Sequence, residues 1–525
     1  MRLLRSALLV TAISFSCAGA SHAQAGPVAT GSEARTARAF EAARKQGPLA
    51  LRSFLIGMPK GADLHVHLSG AVYAENFIRA AGEDGLCIDP KGLNFVKPGG
   101  VGCGANPGTV SASDLLAHIE QPYNQGLYDK LIDAFSMRSY VPTTGWSGHD
   151  QFFATFAHFG GTDKRHTGEW VDEVVSRAAN QNEQYVELME TPPFSHAATI
   201  AYQIGWDSNL AEFRQKLLDA GLDQEVDAAK EHIQSALALR DKLERCTLPE
   251  HYAPGCKVQV RFLYQVLRAL PPQVVFVQLV CGFELASADP LVVGINMVQP
   301  EDGRVAMANY RQQMQMVGAL HALYPNVHIT LHAGELAPGM VPPDGLRFHI
   351  RSAIEEAHAE RIGHGVDVMQ EDHPYDLLKL MATQRIMAEI NLTSNDVILN
   401  IKGADHPLPM YRQYHVPVAL STDDEGVSRI DLTHEYVRAA TTYPLTYSDF
   451  KQMVRTGLEH SFLPGDSLWE QTGPWESYAR ARAACRTQVG RDQATGACAS
   501  LLDASEKARQ QFELERRFQV FENSY

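Results

Sequence analysis

Positive charge is scarce in this chain. Against 61 Asp and Glu residues stand 46 Lys and Arg, a formal net charge of −15 over 525 residues. Binding a polyanion needs a basic patch or stripe, so no nucleic-acid partner is expected and a small-molecule substrate fits better. Long apolar runs are also missing beyond the N-terminus. No later segment approaches the roughly 20 apolar residues that a membrane-spanning helix needs. Internal repeats and low-complexity tracts are absent. What remains, 45% hydrophobic and 20% charged residues, describes a globular chain with a substantial core.

Cysteine is sparse as well, eight in all, and its placement is informative. Met1-Arg2-Leu3-Leu4-Arg5, the apolar run Ser6 to Ala20 and Ser21-His22-Ala23 read as a positive start, a short apolar core and a small-x-small cleavage site. They predict a signal peptide over 1–23, export to the periplasm or beyond, and no membrane attachment after cleavage. Cys17 would leave with it. The other seven fall into three sequence-local couples, Cys87 with Cys103, Cys246 with Cys256 and Cys485 with Cys498, plus Cys281 in the apolar run Val274 to Leu285. In an oxidising compartment local pairing is the simplest expectation, with Cys281 reduced and buried.

The stretch "ADLHVHLSG" sets His65 and His67 one residue apart in a strand-like run. Residues i and i+2 of a strand share a face, so both imidazoles point one way. Further strand-like runs follow at Gln184 to Met189, Val258 to Tyr264, Val292 to Met297, His328 to His332, Ile362 to His364, Met387 to Asn391 and Val416 to Ser421, alternating with helical segments. Eight strands in βαβ alternation predict an α/β fold, a closed (β/α)8 TIM-like barrel. The expected layout is a leader and helix over 24–57 and a barrel over 58–447. A helical and loop insertion follows the first strand at about 85–160, and a C-terminal helical extension covers 448–525. Within the insertion, the Gly/Pro-rich patch between Cys87 and Cys103 reads as a loop.

A barrel gathers the C-terminal ends of its strands at one mouth. Those ends carry His65 and His67, then His332-Ala333-Gly334-Glu335, Gly363-His364-Gly365 and Thr422-Asp423-Asp424. Singly, each has an ordinary structural reading as a turn, a helix start or a cap. Together they supply imidazoles and a carboxylate of the kind that hold Zn²⁺ with an open position, which makes a nucleophile of water near neutral pH. Glu335 stands free to act as acid or base.

The motifs "MPKGADLHVHLSGA", "LHAGE", "RIGHG", "NLTSNDVI" and "LSTDDE" resemble the adenosine deaminase family of metal-dependent amidohydrolases, and "MPKGA" after a signal peptide is similar to its secreted, growth-factor-related branch. The resemblance implies one zinc held by His65, His67, His332 and Asp423. It implies that Glu335 protonates purine N1, that His364 orients and deprotonates the attacking water, and that Asp424 accepts a hydrogen bond from purine N7. Phe152 and Phe156, four apart on one helix, match the family's aromatic lid over the substrate. Two departures bear on the sugar: Ser69 stands where the family has the aspartate that holds the 5′-hydroxyl, and Gln299 where a glycine meets N3. Glu425 replaces the usual proline after Asp-Asp. The implied reaction is hydrolytic deamination of adenosine or 2′-deoxyadenosine, with a purine nucleoside the only partner and a homodimer left open. Adenine or methylthioadenosine as substrate, another ring such as guanine or a pterin, and a secreted non-catalytic binding protein are the alternatives.

Overall fold

The structure, a computed structural model, describes residues 31–525 apart from 99–101, 104–107, 163, 249 and 472–477. The expected signal peptide and Cys17 lie outside the described residues. Eight parallel strands run in chain order around a barrel: β1 Gly61–His67, β2 Glu183–Glu190, β3 Gln259–Leu267, β4 Val292–Val298, β5 His328–Ala333, β6 Arg361–His364, β7 Met387–Ile390 and β8 Val418–Leu420. The ring closes just beyond β8. Val66 bridges Asp423 in parallel, Asp423 N–H donates to His65 O at 2.8 Å, and His67 N–H donates to Asp423 O at 3.3 Å. Asp63 reinforces this seam by accepting the Thr422 N–H and hydroxyl at 3.1 and 2.7 Å.

The strands are short and apolar because both faces are covered, by helices outside and by the packed interior within. The exceptions lie inside. Arg361 donates to Glu389 and to Glu187 at 2.6 Å each, and all three side chains are fully buried. Glu187 also accepts from Tyr185 and from the Phe462 N–H, so the charges form a satisfied chain across the barrel core.

Between β1 and β2 the insertion folds back over the mouth. Its Gly/Pro-rich patch departs from the expected loop: Cys87–Asp89 is the middle strand of a small antiparallel sheet, flanked by Asn94–Val96 and Val110–Ser111. Hydrogen bonds that loop reasoning leaves unassigned go into this sheet. Helices Ala112–Ala117, Pro122–Ala134 and Gly148–Phe159 follow, the last opened by a Ser147/Asp150 capping box.

Ahead of the barrel, Lys60 is wholly buried. Its ammonium donates to the carbonyls of Leu55, Met58 and Gln181 at 2.7, 3.2 and 2.7 Å. It thereby ties the C-terminus of the Pro48–Gly57 helix to the barrel floor. At the other end, helix Tyr447–Glu459 lies against β1 and β8, with Gly457 facing Ala62 and Ala419. Beyond it the chain is not continuously helical as expected. The described part of 460–496 is turns and irregular backbone, because Pro464, Gly465 and Gly490 punctuate it, the glycines at φ +100° and +82°. Helices Ala497–Ala504 and Glu506–Asn523 then complete the chain.

All three expected disulfides are present, with Cα separations of 5.3, 5.4 and 4.7 Å for Cys87–Cys103, Cys246–Cys256 and Cys485–Cys498, and Cys281 is free and buried. No helix among the described residues is long and apolar enough to cross a membrane.

Candidate metal centre and active site

His65, His67, His332 and Asp423 converge at the mouth, all buried. His65 Nε2 and His67 Nε2 each lie 3.1 Å from His332 Nε2, and Asp423 Oδ1 lies 3.2 Å from His67 Nε2 and 3.7 Å from His65 Nε2. The opposite ring nitrogens are each committed to an acceptor: His65 Nδ1 to Glu389 at 2.6 Å, His67 Nδ1 to Gln265 Oε1 at 2.6 Å, and His332 Nδ1 to Asn296 Oδ1 at 2.7 Å. Each Nδ1 must therefore carry the proton, and each Nε2 turns a lone pair toward the others. Three lone pairs and a carboxylate oxygen packed this closely repel unless a cation sits among them. For metal–nitrogen bonds of about 2.0–2.1 Å in tetrahedral geometry, ligand atoms stand roughly 3.3 Å apart, close to the separations found. The residues fit a divalent metal.

Sequence reasoning missed Glu389, Gln265 and Asn296. Their signal is a lone polar residue in an otherwise apolar barrel strand, "MAEIN", "FLYQVL" and "VGINMV", where an unpaired polar group is costly and so implies a partner.

Glu335 and His364 flank the cluster. His364 Nε2 lies 3.6 Å from Asp423 Oδ2 and 3.7 Å from Glu335 Oε1. Glu301 holds the turn that presents Glu335, accepting the N–H groups of Gly334 and Glu335 at 3.0 and 2.8 Å and His349 Nδ1 at 2.5 Å. Burial, with the charges of Asp423 and Glu301 nearby, pushes the Glu335 carboxyl well above the usual carboxylate range. Burial lowers His364 to about 4, against the pull of Asp423.

A directional chain orients His364. Leu408 N–H donates to His406 Nδ1 at 3.1 Å, so His406 Nε2 carries its proton and donates to Asn395 Oδ1 at 2.9 Å. This turns the Asn395 amide so that its Nδ2 donates to His364 Nδ1 at 2.9 Å. The neutral His364 ring therefore carries its proton on Nε2, facing the metal cluster.

Asp424 lines the same cavity with Oδ1 buried and without a protein partner. Gly70 leaves room for it, since a Cβ there would stand 1.5 Å from Asp424 Oδ1. Burial, with Asp423 beside it, raises its carboxyl well above the ordinary value. Glu425 faces away into an ion pair with Arg177 at 2.7 Å. Three site residues hold left-handed backbone without being glycine: Gln299 at φ +88°, His364 at +68° and Asp423 at +62°. Such strain persists where the surroundings dictate it. Gln299 thus keeps a glycine-like backbone, its side chain turned to accept from the Ala269 N–H at 2.8 Å.

The cavity has a volume of about 940 Å³. Phe152 and Phe156 line it as expected of a lid, along with Phe153 and Phe159 of the same helix, and Ser69 lies on its wall. All the residues expected at the site border the metal cluster or this cavity.

A (β/α)8 barrel with a His₃Asp metal-binding cluster and a buried acid at its mouth defines a class, and comparison with known sequences narrows it. The sequence model of the family described as Adenosine deaminase matches residues 169–470. The chain belongs to the adenosine deaminase family. It is 40% identical over 140 residues to an adenosine deaminase of Salmonella schwarzengrund (strain CVM19633), spanning 26% of this chain and 39% of that one. It is 38% identical over 140 residues to an adenosine deaminase of Escherichia coli (strain SMS-3-5 / SECEC), with the same shares. The aligned part is thus about two fifths of the length of these curated relatives. Among solved structures, Arabidopsis ADAL complexed with IMP superposes with a TM-score of 0.50 at 21% identity, over 78% of this chain and 94% of that one, a likeness of fold. The matched span 169–470 omits β1, so the placement of His65 and His67 in the cluster comes from the structure.

Proposed function

We propose that this chain is an exported, zinc-dependent aminohydrolase that converts a 6-aminopurine nucleoside, adenosine or 2′-deoxyadenosine, to the 6-oxo nucleoside and ammonia. One zinc held by His65, His67, His332 and Asp423 would supply Lewis acidity and bring water near deprotonation at neutral pH. The observation that carries the reading is the arrangement beside that cluster of a buried carboxyl, Glu335, an imidazole with its N–H turned inward, His364, and an orphaned acid, Asp424, all facing one cavity.

Glu335 and Asp424 each match one ring nitrogen of a 6-aminopurine, and His364 matches the oxygen that adds to it. Glu335, kept protonated by burial, gives its proton to N1 and so makes C6 electrophilic. N7 of a 9-substituted purine carries no hydrogen, so the direction expected for Asp424 reverses: as a neutral acid it donates to N7. His364 also changes role, because its Nδ1 accepts from Asn395 and its Nε2–H points inward. It donates to the oxygen adding at C6, as charge builds there, in place of the deprotonation expected from the sequence; the proton that the attacking water loses passes instead to the Glu335 carboxylate left once N1 is protonated, and from there to the departing amino nitrogen. The aromatic lid excludes water from the ring. Three local disulfides support an oxidising, exported setting.

The test is metal analysis of purified full-length protein with ammonia release from adenine, adenosine, 2′-deoxyadenosine, methylthioadenosine and guanine. We expect about one zinc per chain, activity on the adenine nucleosides, loss on chelation and return with zinc. Full activity without metal, or no ammonia from any 6-aminopurine, overturns the reading. The second outcome would favour a binding protein on the same fold.

A further inference from the structure

Apart from the metal ligands and Glu335, His364 and Asp424, the cavity wall carries two charged side chains among the described residues, Glu190 and Lys164. Glu190 ends β2 and is 2% exposed. Its two partners come from different elements: Lys164, in the turn that follows the lid helix, and His232, on helix Asp223–Leu243. Both reach the same oxygen, Oε1, at 3.0 Å. Oε2 has no partner among the described residues. Although burial alone would push this carboxyl up, Lys164 and His232 hold it below the ordinary range, so it is charged.

A buried charge is costly unless its hydrogen-bonding capacity is filled. An ion pair serving only as a staple has no reason to leave one oxygen of a cavity-lining carboxylate free. Lys164 Nζ donates to Glu190 and to Thr191 O at 3.0 and 3.2 Å, which leaves its third N–H available. An acceptor and a donor thus stand side by side. That is the pattern a sugar hydroxyl satisfies, because it donates with its hydrogen and accepts on its oxygen, and acidic side chains read ribose hydroxyls elsewhere in this way. The neighbouring Thr191 hydroxyl accepts from Gln265 Nε2 at 3.0 Å, and Gln265 in turn holds His67. Glu190 is therefore anchored to the shell of the metal cluster and faces the same cavity as Glu335.

We propose that Glu190, with Lys164 beside it, is the sugar-recognition subsite: Oε2 accepts a hydrogen bond from a sugar hydroxyl while Lys164 donates to an adjoining sugar oxygen. This deepens the nucleoside reading above and rests on it. It also assigns the sugar contact to a position other than Ser69, whose short side chain needs no part in it.

The experiment uses zinc-loaded full-length protein. Wild type, Glu190→Gln and, as a second variant with a half-exposed side chain, Lys164→Gln are assayed on adenosine, its 2′-, 3′- and 5′-deoxy analogues and adenine. Calorimetric titrations with purine riboside and free purine accompany the kinetics. A hydrogen bond to a charged group is worth about tenfold or more in discrimination. In wild type at least one deoxy analogue should lose about tenfold in kcat/KM, and riboside should bind about tenfold tighter than purine. Both gaps should shrink to under about threefold in Glu190→Gln, with zinc content unchanged, and should narrow in Lys164→Gln. Unchanged ratios in both variants, or a wild type that shows no gap, overturn the subsite. An inactive wild type would instead overturn the deaminase reading, and the riboside titration would still decide whether Glu190 reads the sugar.

Discussion

Replacing Glu389 by glutamine separates metal binding from packing. The carboxylate is fully buried and accepts three donors, His65 Nδ1 and Arg361 Nε at 2.6 Å and the Thr330 hydroxyl at 2.9 Å. An amide has only one oxygen to offer. If that oxygen faces Arg361 and Thr330, the amide nitrogen faces His65 Nδ1, which must then give up its proton to Nε2, inside the metal cluster. If it faces His65, two donors oppose the amide nitrogen on the Arg361 side. The first arrangement costs metal affinity and the second costs stability, so both should fall. Loss of such a supporting contact lowers metal affinity about 10- to 100-fold, or about 1.4–2.7 kcal/mol. Breaking one side of a buried ion pair costs about 3 kcal/mol, the low end of the usual range, because Glu187 still neutralises Arg361. Zinc competition against a chromophoric chelator measures the first, and urea unfolding of the metal-free protein measures the second. Thr330→Val, which touches Glu389 but not His65, should change affinity by less than about threefold. If Glu389→Gln binds zinc as tightly as wild type, His65 does not depend on Glu389 for its tautomer, and the argument for three converging lone pairs fails.

Two further outcomes test the chemistry and the electrostatics. Glu335→Gln keeps shape but removes the transferable proton, so zinc content should hold while turnover falls at least ~10²-fold; near-normal turnover would leave Glu335 a carboxyl that only shapes the cavity wall. Burial raises Glu435 to about 7, against the hydrogen bond from Thr393. The native protein therefore holds a proton that the unfolded chain releases near pH 4.5, and the resulting penalty is absent below about pH 4.5 and complete above about pH 7. Glu435→Gln should unfold in urea at higher concentration than wild type at pH 8, by on the order of 3 kcal/mol, and show no difference at pH 4.5; equal stability at pH 8 refutes the burial argument.

The barrel was readable because parallel strands covered on both faces leave short apolar runs at regular intervals, and β4, β5 and β7 lie within a residue or two of where those runs stand. The metal ligands and Glu335 were readable for the same reason, since each sits where such a run ends. Pattern did not reveal direction. Whether His364 gives or takes a proton depends on His406 and Leu408, which lie more than 40 residues further along and carry no periodic signal. Nor did pattern show that Glu190 and Lys164 meet, because a turn outside any regular strand supplies one of the pair. The small sheet around Cys87 carries no strand signal in the sequence, because its strands are only two or three residues long, too short for an alternation to register.

The seam that closes the barrel has a consequence for how the protein matures. His65 and His67 come from the first strand and Asp423 from just past the last, and the same residues exchange the backbone hydrogen bonds that join the ring. Contacts this distant along the chain are costly to form and come late in folding. A complete metal cradle cannot exist until the final strand has docked, so a chain that stops short of Asp423 or is only half folded lacks the fourth ligand however much of the rest is in place. Ion uptake would therefore act as an inspection step: a metal bound in this cradle would rivet the first strand to the last, and only a finished ring could take it.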